Sequence, residues 1–260
     1  MFRTRDFIET REGMLFSVVL NLHPVSGIIS QLRFRRTSTG LVKIGSTQES
    51  YQFLSDYPRY VKFCPELDRD LIIVPRDRVI RHYNPTSGLI EIMKSDNGTD
   101  VSVIVSELLL KSGLHPDNLG ITGSYLIGAQ DHESDIDLVI YGLDNYNRLV
   151  LALQECVEQA IFSPLDRGDW QRIYQKRGLD ATTGYTFREF LWHESRKWNR
   201  AKLGKRRFDL LSGRRIEEIT GDFQDFTFKR LGEVHVECKV IDSSLGFDYP
   251  ARYQVSNCNA

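Results

Sequence analysis

The chain has 260 residues, of which 41% are hydrophobic and 27% charged, and its formal net charge is -1. That length suits one large core or two smaller ones. Near-neutrality excludes a polyelectrolyte that grips nucleic acid with its whole surface, so any such contact needs a local basic patch.

The opening residues, MFRTRDFIETREG, alternate charges and lack the apolar core of a signal peptide. No apolar run approaches the roughly 18 residues that mark a membrane helix, so no membrane span is expected. Cys64, Cys156, Cys238 and Cys258 are far apart and form no CxxC pair. The expectation is reduced thiols in a cytoplasmic protein, without a structural zinc site. The histidines are scattered and show no HExxH pattern.

In chain order, the first third reads as β-rich. The apolar run Met14 to Leu22 and its continuation from Ile28 to Phe34 predict a hairpin, with a turn near Pro24 to Gly27. A short helix is expected from Thr47 to Leu54 and a strand from Leu71 to Val74. Pro85, Gly88 and Gly98 mark a boundary between Asn84 and Gly98. Val101, Ile104, Val105, Leu108 and Leu109 then recur at helical spacing, with Asp100 able to cap the start and Gly113 the end. A strand from Leu119 to Thr122 runs into Gly123-Ser124, and Ile136 to Tyr141 is a strand apolar enough to be buried on both faces. The stripe Tyr146, Leu149, Val150, Leu153, Val157, Ala160 and Ile161 predicts an amphipathic helix. Phe187 to Asn199 is expected to be helical, Phe208 to Leu211 a strand, and Phe228 to Val255 a small β unit.

The chemistry is concentrated in Ile121 to Gly142. Gly123-Ser124 is followed, after ten residues, by Asp135-Ile136-Asp137 at the head of an apolar strand. Side chains at i and i+2 of a strand share a face, so the two carboxylates are expected close together. Like charges about 4 Å apart repel by about 4 kcal/mol at an effective dielectric near 20. Such a pair calls for a cation or a raised pKa, and hard oxygen ligands that share coordination with phosphate suit Mg²⁺ or Mn²⁺. Gly123 permits a tight turn with close backbone approach, and free N–H groups at a helix start, with the Ser124 hydroxyl, suit a phosphate. Between Arg196 and Arg215 lie nine cations, with Asp209 the only acid. Arg196 and Arg200, if helical, share a face and with Lys205 would bind a triphosphate or a nucleic-acid backbone. A solvated basic face, and Asp209 as a partner for its arginine neighbours, are the plainer alternatives. Arg76, Arg78 and Arg81 form a smaller cluster near Tyr83 and a candidate acceptor surface.

Gly-Ser, a spacer of about ten and Asp-x-Asp between apolar residues resemble the signature of the DNA polymerase β-like nucleotidyltransferase superfamily. The resemblance implies a third carboxylate on a neighbouring strand, and Asp209 in Arg206-Arg207-Phe208-Asp209-Leu210-Leu211 matches that place. It implies an α+β fold: a polymerase β-like core of mixed sheet and flanking helices, with β-rich segments at both ends. The expected parts are a β-rich accessory region (1–97), the nucleotidyltransferase core (98–215) and a small β-rich tail (216–260). It further implies that Asp135, Asp137 and Asp209 hold Mg²⁺ (or Mn²⁺), and that an NTP such as ATP donates its NMP to an acceptor hydroxyl. The two basic clusters that flank the motif make RNA, or a tRNA end, the preferred acceptor. The wider layout, including FIETREGMLFSVV and Val74-Pro75-Arg76-Asp77-Arg78, is similar to uncharacterised predicted nucleotidyltransferases of archaea. Many of those have Gly-Thr where this chain has Gly128-Ala129, which implies one hydroxyl fewer near the nucleotide, and the tail Asn257 to Ala260 reads as an abbreviated β segment.

Overall fold

The computed structural model describes residues 1–95, 98–179, 184–225 and 227–259. Position 97, the expected end of the N-terminal region, and Ala260 lie outside them. The fold is α+β and divides into two compact units. One comprises Met1–Ser87, Tyr141–Leu143 and the chain from Ser212 on; the other comprises Gly88–Ile140 and Asp144–Leu211. Among the described residues no helix is long and apolar enough to cross a membrane.

The first unit is built on a seven-stranded sheet. Its strands are β1 (Phe7–Thr10), β2 (Met14–Val18), β3 (Ile28–Thr37), β4 (Gly40–Lys43), β5 (Val61–Cys64), β6 (Arg69–Val74) and β7 (Val79–Tyr83). The order is β5-β6-β3-β2-β1-β7, with β4 also on β3. The expected hairpin forms: β2 and β3 are antiparallel, with Ser17 opposite Gln31. Its turn needs Gly27, because φ is +152° and a Cβ would stand 2.4 Å from the Val74 carbonyl oxygen. Helix α1 (Thr47–Leu54) starts where the sequence places it, since the Ser46 hydroxyl accepts the Glu49 N–H at 3.1 Å. Ile8, Phe16, Ile28, Leu32, Leu54 and Tyr60 pack on one face of the sheet.

The tail is not a separate module. Arg214 reaches Asp248 at 2.6 Å, the Arg230 N–H donates to Asp68 at 3.1 Å, and Phe223 packs on Ile29, Cys64 and Ile73. With hardly any core of its own, the tail joins the N-terminal residues. Its strands β12 (Glu237–Asp242) and β13 (Gln254–Asn259) form a separate antiparallel ribbon.

His23 gives this unit a pH dependence. Its Nδ1 accepts the Ile29 N–H at 3.2 Å and Nε2 faces the Phe2 carbonyl at 3.2 Å, which fixes the neutral tautomer with the proton on Nε2. Burial, opposed by the Phe2 contact and helped by Arg76, pulls the imidazole from 6.5 down to about 4. Below 6.5 the unfolded chain takes up a proton that the folded chain refuses until about pH 4. The stabilisation is therefore complete above pH 6.5 and is lost progressively as pH falls to about 4. Thermal melts across this window should fall more steeply with acid for the wild type than for His23→Gln; parallel curves would remove the assignment.

The second unit carries a four-stranded sheet in the order β10-β11-β9-β8. These strands are β8 (Leu119–Thr122), β9 (Ile136–Tyr141), β10 (Arg200–Leu203) and β11 (Arg206–Gly213). Helices α3 (Asp100–Ser112) and α5 (Leu143–Glu158) supply Ile104, Leu108, Leu149 and Leu153, which bury Ile121, Leu138 and Phe208. Thr99, one residue earlier than expected, stands at the cap position of α3, and Gly113 closes the helix at φ +63°. The stretch read as a boundary contains helix α2 (Pro85–Ser95), entered through Asn84, whose Oδ1 accepts the Thr86 N–H at 3.0 Å. Gly88 in that helix allows close packing, for a Cβ there would meet Leu126 Cδ1 at 2.4 Å.

Two further helices form a satellite core. α6 (Arg167–Arg177) starts on a capping box between Asp166 and Asp169, and α7 (Phe187–Glu194) on another between Thr186 and Glu189. Leu165, Trp170, Tyr174 and Phe190 fill the space between them. The helix expected to reach Asn199 ends at Glu194 and passes through a 3-10 turn, Ser195–Lys197. Trp198 then takes a left-handed conformation, φ +50°, and β10 begins at Arg200. Pairing of β10 with β11 overrides the helical pattern there.

Candidate functional site

Every residue of the site belongs to the second unit. β8 delivers the chain into a single helical turn, α4 (Gly123–Leu126), and β9 returns antiparallel with Asp137 opposite Thr122. Gly123 sits at φ +67°, and a Cβ on it would lie 2.7 Å from Asp137 Oδ2. The turn thus lies directly against the second carboxylate of the Asp-x-Asp pair. Only glycine combines this conformation with that approach.

The ten-residue spacer completes α4 and continues as a loop braced by its own side chains. The Asp131 carboxylate accepts the Ser134 hydroxyl and the Glu133 N–H, each at 2.9 Å, and these bonds hold it below the ordinary carboxylate value. Arg206 clamps the loop from β11, donating to the carbonyls of Ser134 at 2.8 Å and His132 at 3.0 Å. The clamp fixes the approach to Asp135, which immediately precedes β9.

Asp209 lies on β11, the strand beside β9. Its cross-strand partner is Arg200, whose Nε stands 3.0 Å from Asp209 Oδ2. Burial raises the Asp209 carboxyl above its usual value; Arg200 opposes the rise and nearby Asp135 adds to it. Asp135 meets Arg207 Nε at 2.9 Å. Buried Glu194 faces Arg200 at 3.7 Å and Arg177 at 3.5 Å and pairs with Lys197, so charge alternates from Asp209 back to α7. Among the described residues no group of three or more His, Cys, Asp or Glu side chains is gathered closely enough to enclose a metal ion.

A cavity of about 250 Å³ opens beside Asp135. Lys205, Arg206 and Arg207 line it from the β10–β11 hairpin, Asp169 and Arg172 from α6, and His132 to Ser134 from the loop. Lys202 bonds Asp169 at 2.6 Å and Asp166 at 2.9 Å, tying the start of α6 to the sheet.

Comparison with known proteins finds a relative over nearly the whole chain. It is the uncharacterised protein MJ1086 of Methanocaldococcus jannaschii, 30% identical over 278 aligned positions that cover 99% of this chain and 81% of the relative. The chain belongs to the MJ1086 family. No family model matches it, and no solved structure does.

In this member of the MJ1086 family the predicted site residues are brought together unevenly. Gly123 and Asp137 are in contact, and the Asp135 charge is near enough to raise the Asp209 carboxyl. Of the three cations expected to meet phosphate, Lys205 lines the cavity, whereas Arg200 is committed to Asp209 and Glu194. Arg196 is not on a helical face with Arg200; its guanidinium lies 3.7 Å from the centre of the Trp192 ring. The Arg76, Arg78 and Arg81 cluster belongs to the other unit, where Arg81 covers the Tyr83 ring and Arg78 faces Glu12.

Sequence reasoning missed Asp169 and Arg172, because it recognised no helix between Leu165 and Phe187, and it saw Lys202 only as one charge in the basic run. The signal was present: Asp166-x-x-Asp169 is a reciprocal cap, and Trp170, Ile173, Tyr174 and Arg177 follow at helical spacing. Arg207 was seen only as one charge in a basic run; its partnership with Asp135 depends on the neighbouring strand.

Proposed function

We propose that the chain is a metal-dependent nucleotidyltransferase of the polymerase β-like type, which transfers an NMP from an NTP to an acceptor hydroxyl with release of pyrophosphate. The observation that carries this reading is the closeness of Gly123 to Asp137. A turn that must be glycine to let its backbone meet a carboxylate suits a site where phosphate and metal are held side by side.

The three acids do not form a gathered metal cage in this structure, but the chemistry of their donors suits a hard divalent cation. Asp135, Asp137 and Asp209 offer oxygens only, which suits Mg²⁺ or Mn²⁺. Burial and the nearby Asp135 charge raise the Asp209 carboxyl, as expected where like charges are crowded without enough compensation. In this reading these three acids hold the ion, which, when bound, supplies charge neutralisation at the phosphoryl group and the acceptor oxygen. Arg207 and Arg200 now partner two of the acids and would turn from them towards phosphate oxygens. Gly123 and Ser124 hold the nucleotide's phosphates, and Lys205 adds a cation from the hairpin. The run Lys205-Arg206-Arg207 on the hairpin at the neighbouring cavity, whose lining also carries Glu133, Asp135 and Asp169, supports RNA, including a tRNA end, as the acceptor. Modification of RNA or protein by a toxin or defence enzyme would use the same residues.

A second reading is a non-catalytic nucleotide- or RNA-binding module, favoured by the arginine partners already on Asp135 and Asp209. Melting with and without ligand separates metal binding from structural ion pairing. Mg²⁺ or Mn²⁺ with an NTP should raise the melting temperature of the wild type and leave Asp135→Asn unchanged. Saturation at a hundred times Kd adds about 2.7 kcal/mol of stability, enough to shift the midpoint by several degrees. Equal shifts in both proteins would dismiss the metal assignment.

A further inference from the structure

The ribbon β12–β13 is an anomaly. Isolated two-stranded ribbons are marginal in water, and this one has exposed side chains nearly throughout, including Val240, Ile241 and Val255. Among the described residues, neither strand carries a buried side chain that would account for its pairing.

Two cysteines face each other across it. Cys238 Sγ and Cys258 Sγ are 2.6 Å apart, although nineteen residues separate them in the chain. The register explains the meeting. Glu237 pairs with Asn259 and Lys239 with Ser256, so one residue of β12, Cys238, opposes two of β13, Asn257 and Cys258. This is a β-bulge, and its extra residue, Asn257, sits at φ +51°. Asparagine tolerates that left-handed conformation better than most residues, and the bulge brings Cys258 to Cys238. Cys258 is exposed and Cys238 partly so, whereas Cys64 and Cys156 are buried.

We infer that Cys238 and Cys258 are a disulfide-forming pair that staples the ribbon, an oxidation site open to small peroxides. One thiolate attacks a peroxide oxygen, breaking the O–O bond, and becomes a sulfenic acid. The second thiol displaces that hydroxyl as water and forms the S–S bond. Two thiols lose two electrons, and hydrogen peroxide is reduced to two waters. The closed loop restricts the unfolded ribbon and so supplies stability that side-chain burial does not.

The test is brief exposure of the full chain to dilute hydrogen peroxide, followed by thiol titration in denaturant, intact mass and a non-reducing digest. The chain has four thiols. The expected result is a titre falling to two, a mass loss of about 2 Da, and a linked peptide joining Cys238 to Cys258, all reversed by dithiothreitol. Cys258→Ser should keep its remaining three thiols out of any internal disulfide and show no 2 Da loss. A wild-type titre that stays at four, a link through Cys64 or Cys156, or a covalent dimer through Cys238 would each overturn the inference.

Discussion

Asp137→Asn should abolish nucleotide transfer while leaving the fold intact. Asparagine keeps the shape of the side chain next to Gly123 but loses the charge that a divalent ion requires. Losing one interaction aimed at the reacting charge costs on the order of a hundred- to a thousandfold in rate, and loss of a metal ligand should cost at least that much. Incubation with Mg²⁺, each labelled NTP and bulk tRNA reads the effect directly. Label incorporated by the wild type and reduced to background in Asp137→Asn supports the enzyme. Equal incorporation by both proteins would sink the assignment of this carboxylate, and tight tRNA binding without incorporation by either would favour the binding module.

Gly123→Ala should separate function from stability in an unusual proportion. An alanine at φ +67° costs about 1 kcal/mol or somewhat more for its backbone alone. Its Cβ would lie 2.7 Å from Asp137 Oδ2, and the cheapest relief is rotation of that carboxylate. The melting temperature should therefore drop by only a few degrees, consistent with about 1–2 kcal/mol. Transfer activity and the Mg²⁺–NTP thermal shift should be lost almost completely, because the displaced group is the one proposed to hold the ion. A variant with near wild-type transfer would show that the contact between turn and carboxylate is incidental.

Local patterning made much of the second unit legible. The apolar strand Ile136–Tyr141, the stripe through Tyr146, Leu149 and Leu153, and the terminator Gly113 each act through neighbours in sequence, and the structure forms them there. Helix α2 was hidden because Pro85 and Gly88 look like punctuation, although proline suits a first helical turn and Gly88 serves close packing. The face shared by Arg196 and Arg200 failed for a different reason. Arg200 is drawn into a strand opposite Asp209, and that pairing depends on β11, which lies further along the chain. Arginine–carboxylate partnerships of this kind have no sequence period. Neither the Arg207 bond to Asp135 nor the Arg206 clamp on the 131–134 carbonyls could be read before the strands were placed beside each other.

The route of the chain has a consequence for its birth on the ribosome. Ile29, Cys64 and Ile73 are covered by Phe223, which is synthesised about 150 residues after the last of them. At common elongation speeds of about 5–20 residues per second that is on the order of ten to thirty seconds. During this interval the cluster is covered only by its N-terminal neighbours, Val19, Leu20, Leu22, Leu67 and Leu71, while all of Gly88–Leu211 is still being made. Chaperone capture and a sensitivity of yield to expression temperature are the natural corollaries, and a fragment ending at residue 215 would lack the Phe223 cover permanently.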